Sequence, residues 1–131
     1  MRRSVVSAVL FLAAAGVFAA TRPEVEQRRI DFLLDAVRHA NAVFIRNDAE
    51  HPPAKAASHL KFKLFMAGEK VQTARDFIEG VATRSEETGR PYLIRVAGGK
   101  PQPLRDWLTA RLKEHESAAA AVTPATTPTA R

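Results

Sequence analysis

The chain has 131 residues with 20 basic and 14 acidic side chains, and 46% of it is hydrophobic. That length excludes a multidomain enzyme or a large α/β barrel, and the composition is that of a folded domain. With no cysteine, there is no disulfide framework, thiol nucleophile or Cys-based zinc or iron–sulfur site, and the formal excess of +6 matters only where it is concentrated.

Met1, Arg2 and Arg3 give a short cationic start, Val5 to Val17 is apolar and uncharged, and the small residues Ala19 and Ala20 follow. This three-part layout predicts a secretory signal peptide over residues 1–19. Cleavage after Ala19 leaves small Val17 upstream of the cut, whereas cleavage after Ala20 leaves bulky Phe18 there. The apolar run falls short of the roughly 20 residues that cross a hydrocarbon core, so a retained membrane anchor is the lesser alternative. Loss of Arg2 and Arg3 lowers the excess from +6 to +4. Nucleic acid is then not an expected partner, and the periplasm or the outside is the expected location.

Next along the chain, Thr21-x-x-Glu24 has the spacing of a capping box, with Pro23 suited to a first turn. A helix is predicted from there to about Asn41, with Ile30, Leu33, Leu34, Val37 and Ala40 on one face. Ala42 to Arg46 is a short strand, stopped by the turn-forming pair Asn47-Asp48. Pro53 to Ala67 is the second helix, closed by Gly68. It is apolar on two sides: Ala56, Ala57, Leu60, Leu64 and Ala67 on one, Phe62, Phe65 and Met66 nearly opposite. A two-sided apolar helix is expected to lie centrally between layers; the alternative is a surface patch made for a partner. Thr73-x-x-Asp76 opens a third helix that ends near Arg84. Tyr92 to Val96 is the second strand, and a fourth helix starts near Pro103 with Leu104, Trp107, Leu108 and Leu112 on one side.

Residues 117–131, small side chains with Thr-Pro repeats, are expected to be a disordered tail. The folded domain is therefore residues 20–116, long enough for one modest core without metal or disulfide support. Its class is α+β: a helix-dominated single domain of about four helices and a short two-stranded β ribbon, which helices must cover on one face because two isolated strands are marginal.

The chemistry is sought among the polar residues left over. Arg46, Asn47, Asp48, Glu50 and His51 lie in and after the first strand. His59 and Lys63, four apart, project from the same side of the second helix, with Lys55 one turn earlier. This basic ridge is suited to a carboxylate or phosphate, with Arg46 as a fork of donors and Lys63 as a point charge. Its structural alternative is a solvated helix flank. His51 and His59 match no standard zinc spacing, no nucleophile elbow surrounds Ser58, Ser85 or Thr88, and Gly98-Gly99-Lys100 lacks the remainder of a phosphate loop. Glu86-Glu87 is expected to face solvent, and Tyr92 and Trp107 to be covering aromatics.

The segments Phe44 to Asn47 (FIRN), His51, Ala57 to Leu60 (ASHL), Lys63, Thr73 to Ile78 (TARDFI), Val81-Ala82 and Thr88 to Tyr92 (TGRPY) come in an order that resembles the YfeK-like family of small exported bacterial proteins of unknown function. The resemblance covers about residues 25 to 112 and implies a signal-bearing, periplasmic protein without supplying a reaction, cofactor or catalytic residue. Carried over, it retains Arg46, Asn47, His51, His59, Lys63, Thr88, Gly89 and Tyr92. It also implies a glycine where this chain has Asp48, and hence a left-handed turn there, and a serine-rich stretch where this chain has Arg84 to Glu87.

If the FIRN and PYLI segments pair, Arg46, His51, His59 and Lys63 gather around one shallow basic pocket. The competing arrangement is a hydrogen-bond cluster that pins the turn and holds no ligand. The expected function is a non-catalytic, monomeric binding or interaction module with no cofactor and no metal. Its contact residues are Arg46, Asn47, His51, His59, Lys63, Thr88 and Tyr92, and its partner is an envelope protein or a small anionic ligand. The alternatives are a small histidine- or metal-dependent hydrolase, and envelope assembly through Phe62, Phe65 and Met66.

Overall fold

The structure is a computed structural model that describes residues 21–122; the expected signal peptide and the end of the expected tail lie outside them. Four helices and a four-stranded antiparallel sheet follow in the order α1 (Glu24–Arg38), β1 (Ala42–Arg46), β2 (Ala49–His51), α2 (Pro53–Ala67), α3 (Ala74–Gly80), β3 (Leu93–Val96), β4 (Gln102–Pro103) and α4 (Leu104–Val122). The class is α+β and helix-dominated, as the sequence predicts.

The expected ribbon is the centre of the sheet. Strand order is β2-β1-β3-β4, with Phe44 opposite Ile94 and Ile45 opposite Leu93. A short strand extends it on each edge. On one side the chain reverses at Asn47 and Asp48, whose φ values of 50° and 65° are those a two-residue hairpin turn needs to match strand twist. On the other, Gln102 and Pro103 pair with Ile94 and Leu93, an edge position where the missing amide of proline does no harm.

Helix ends follow local chemistry. α2 begins at Pro53 and stops at Gly68, where φ is 54°. At α3 the capping box is complete: Thr73 accepts from the Asp76 amide, and Asp76 accepts from Thr73 in return. At α1 the box predicted from Thr21 is not used. Pro23 is the N-cap and has no side-chain cap bond, while the neighbouring Arg22 donates to the Val71 carbonyl at 2.8 Å. α3 ends at Gly80, earlier than Arg84, so that Arg84 can bridge to Pro91. α4 runs to Val122, which makes residues 117–122 of the expected tail helical.

One face of the sheet carries the core. Phe44, Tyr92 and Ile94 meet Ile30, Leu33 and Val37 of α1, Ala57 and Leu60 of α2, Phe77 and Ile78 of α3, and Leu104, Leu108 and Leu112 of α4. α2 is not sandwiched. Its Ala57 and Leu60 face is buried, whereas Phe62, Phe65 and Met66 are 61%, 79% and 66% exposed. The helix has a core on one side, and among the described residues no second layer covers the apolar outer stripe on the other.

Candidate functional site

The register of the sheet assembles the site. Phe44 lies opposite both His51 and Ile94, so the three share a face, and alternation along β1 puts Arg46 on that face as well. α2 starts one residue after Pro52 and lays Lys55, Ala56, His59 and Leu60 across it. Between them is a cavity of about 80 Å³, whose walls include Arg46, His51, His59 and Tyr92 together with Phe44 and Leu104. That is well below the roughly 300–1,000 Å³ of drug-sized sites and suits a group of a few heavy atoms.

Arg46 brings an unpartnered donor to the cavity wall; Arg111, whose Nε is likewise buried without a partner, does not line the cavity. The Nε of Arg46 is buried and makes no hydrogen bond. Its Nη2 is 3.5 Å from a carboxylate oxygen of Glu87, beyond the 2.7–3.2 Å of an ordinary N–H···O bond. Glu87, expected to face only solvent, is indeed 74% exposed and still turns toward this guanidinium. A buried donor without a partner destabilises the fold unless a ligand or water supplies an acceptor.

His59 and Tyr92 complete the wall. Burial, then the charges of Arg46, Lys63 and His51, hold His59 below the ordinary histidine value, with Glu87 pulling the other way. The Tyr92 hydroxyl is 3.1 Å from Lys63 Nζ and 3.3 Å from His59 Nε2. The ammonium donates to the Tyr92 hydroxyl, and the direction of the bond between that hydroxyl and His59 Nε2 follows the imidazole tautomer. With its pKa held low, His59 is mostly neutral at pH 7.

Lys63 has a different role from the one its spacing predicts. Its ammonium donates to the Val81 carbonyl at 2.8 Å, the Arg84 carbonyl at 3.1 Å and the Tyr92 hydroxyl at 3.1 Å. All three protons are used, and Lys63 does not line the cavity. It is a clamp between α2, the end of α3 and the base of β3, and offers no point charge to a ligand. Lys55 of the same ridge does reach the cavity.

Asn47 and Thr88 also hold the frame. Asn47 donates to Ser85 Oγ at 3.2 Å and accepts from Thr88 Oγ1 at 2.6 Å. Asp48 pairs with both Nη atoms of Arg90, one of them at 2.7 Å. That hydrogen bond holds the Asp48 carboxyl below the usual carboxylate range. The hairpin turn is thereby tied to the loop around Gly89, whose φ is 71°. Of the seven candidate residues, Arg46, His51, His59 and Tyr92 meet at the cavity, while Asn47, Lys63 and Thr88 brace it. Ser85, which the sequence offers only as a nucleophile without an elbow around it, is the single polar residue buried in the core among those described, and it accepts from Asn47. Leu104, whose amide donates to the Tyr92 carbonyl at 2.9 Å, is legible only as a helix residue.

Among the described residues, no group of three or more His, Cys, Asp or Glu is placed to hold a metal ion, and no helix is long and apolar enough to cross a membrane. Residues 24–116 match a family of unknown function, DUF5329. A 68-residue stretch is 38% identical to the uncharacterized protein YfeK of Salmonella typhimurium strain LT2. The match covers 51% of this chain and 57% of that protein, so the chain spans little more than half of its relative's length. No solved structure matches the chain.

Proposed function

This chain belongs to the DUF5329 family, a family of unknown function, and from that premise we propose that it works after export as a non-catalytic binding module that captures a small carboxylate. The observation that carries the reading is Arg46: a buried Nε without a partner in the wall of a small cavity, beside a neutral His59. A carboxylate with a short apolar tail fits this chemistry. Its two oxygens match the side of a guanidinium formed by Nε and one Nη, and its tail meets Phe44, Leu60 and Leu104. A phosphate dianion would need several further donors; Lys63 is not free to give them, which leaves Lys55 as the one lysine at the cavity.

The test is calorimetric titration with butanoate, using butanol as the uncharged control. Butanoate is expected to bind and butanol is not. Arg46→Met removes one charge-assisted pair and should weaken binding roughly tenfold to a hundredfold, while Glu87→Gln, which removes the competing carboxylate, should tighten it. The pH dependence has a definite sign. His59 has a depressed pKa in the free protein, a bound anion raises it, and binding therefore takes up a proton. Affinity should rise as pH falls below the ordinary histidine value, with the carboxylate still ionised. Equal heats from butanoate and butanol, or wild-type affinity in Arg46→Met, would remove the proposal.

The export half of the reading is supported by the cationic start and the Val5 to Val17 run. The chain recovered from a periplasmic fraction is expected to have the mass of one beginning at Ala20. Intact Met1 on protein recovered from the cytosol would overturn it.

A further inference from the structure

The outer face of α2 is a second surface, independent of the cavity. At about 100° per residue, Phe62, Phe65 and Met66 form one stripe along the solvent side of the helix, and all three are more than half exposed. With side chains of this size each presenting roughly 150–250 Å² in full, the stripe leaves about 400 Å² of apolar surface in water. Patches of that order on a monomer commonly mark a site of interaction.

Charge selects the occupant. α2 carries three lysines and no carboxylate, whereas each of the other three helices carries at least two carboxylates. Lys63 is turned inward onto its three acceptors. Lys61 flanks the rings on one side, Lys55 lies at the start of the stripe, and Lys70 follows in the turn beyond Met66. All three are exposed and unpaired among the described residues. Glu69, next to Lys70 in sequence, makes no salt bridge with any of the three among the described residues. A second copy of the chain is a poor fit. The stripe is about half of the roughly 800 Å² per partner of a standard interface, and a two-fold axis would set lysines against lysines. Rings and a methionine between lysines match a different surface, one that is apolar beneath and anionic at its rim.

We propose that α2 docks the protein reversibly on an anionic phospholipid surface, with Phe62, Phe65 and Met66 entering the headgroup boundary and Lys55, Lys61 and Lys70 meeting lipid phosphates. The lysine stems extend past the apolar stripe and keep their ammonium groups at headgroup level. The same orientation leaves Lys55 and His59, and hence the mouth of the cavity, beside the lipid headgroups.

A tryptophan reporter tests this locally. In the full chain, Trp107→Phe removes the one native tryptophan, and Phe62→Trp puts an indole on the stripe. Vesicles of phosphatidylglycerol mixed with phosphatidylcholine are expected to shift its emission to the blue and to quench it when the lipid tails are brominated. Phosphatidylcholine alone should do neither. Lys61→Ala should weaken the response about fivefold, and Phe65→Ser with Met66→Ser should abolish it. Because the reporter sits on α2, lipid binding through the N-terminal apolar run alone would leave its emission unchanged. Unchanged emission with the anionic vesicles would overturn the proposal. So would an equal shift on phosphatidylcholine alone, or a lipid-free shift that grows with protein concentration, which would assign the stripe to a second copy.

Discussion

Lys63→Met is expected to lower the unfolding free energy by about 2–3 kcal/mol and the melting temperature by roughly 10 °C or more. The ammonium of Lys63 satisfies the Val81 carbonyl and the Tyr92 hydroxyl in partly buried positions, and the Arg84 carbonyl in an exposed one. Methionine keeps the packing of the stem and removes all three donors. Water can replace the lysine at Arg84, so the loss is concentrated in the other two. Lys61→Met is the matched control: two residues away on the outside of the same helix, it should change stability by no more than about 0.5 kcal/mol. Thermal and urea unfolding of the two variants separates a clamp from a surface charge. Equal stability in both would mean that Lys63 is dispensable to the fold and free to act as a ligand-binding charge after all.

Phe77→Ala should have the larger effect, about 3–5 kcal/mol. Phe77 is the largest side chain with no exposure. It lies on α3, a helix of only seven residues, too short to hold itself together by backbone bonds alone. Its ring joins α3 to the shared core, and the Val81 and Ala82 amides both donate to its carbonyl. A single domain of this size has only about 5–15 kcal/mol in hand, so the variant is expected to be partly unfolded at 37 °C, with loss of the cooperative urea transition. Phe65→Ala, on the exposed stripe, removes the same ring without leaving a cavity. Similar losses in the two variants would contradict the assignment of Phe77 to the core.

What could be read from the sequence depended on whether a signal was local. Pro53 and Gly68 bound α2 because one fixes φ at the first turn and the other supplies a left-handed residue at the end. Thr73 and Asp76 form their box because Thr73 itself is the N-cap, in extended backbone. The same spacing at Thr21 gave no box, since the proline within it became the cap. β2 carries no strand signal of its own, because Ala49, Glu50 and His51 include no β-branched or aromatic residue other than the imidazole. Only the left-handed Asn47-Asp48 turn and the established β1 bring them into register. β4 is two residues long and contains a proline.

At the site, pairing of the FIRN and PYLI segments suffices to bring Arg46 and Tyr92 to one face, and helical spacing brings His59 over them. The assignment of Lys63 was beyond reach because two of its partners are backbone carbonyls, at Val81 and Arg84, which no residue pattern advertises. The outer stripe of α2 failed for the opposite reason. Its periodicity was plain, but periodicity alone does not say whether a second layer exists to cover it.

The account turns on Arg46 Nε being the open donor of the cavity. Its resonance in protein labelled with ¹⁵N-arginine reports this directly during a butanoate titration. The Arg46 Nε–H signal is expected to move and saturate, with the other arginines still and no change on adding butanol. An Arg46 signal that stays fixed, or that drifts without saturating alongside the exposed arginines, would contradict the cavity as a carboxylate site.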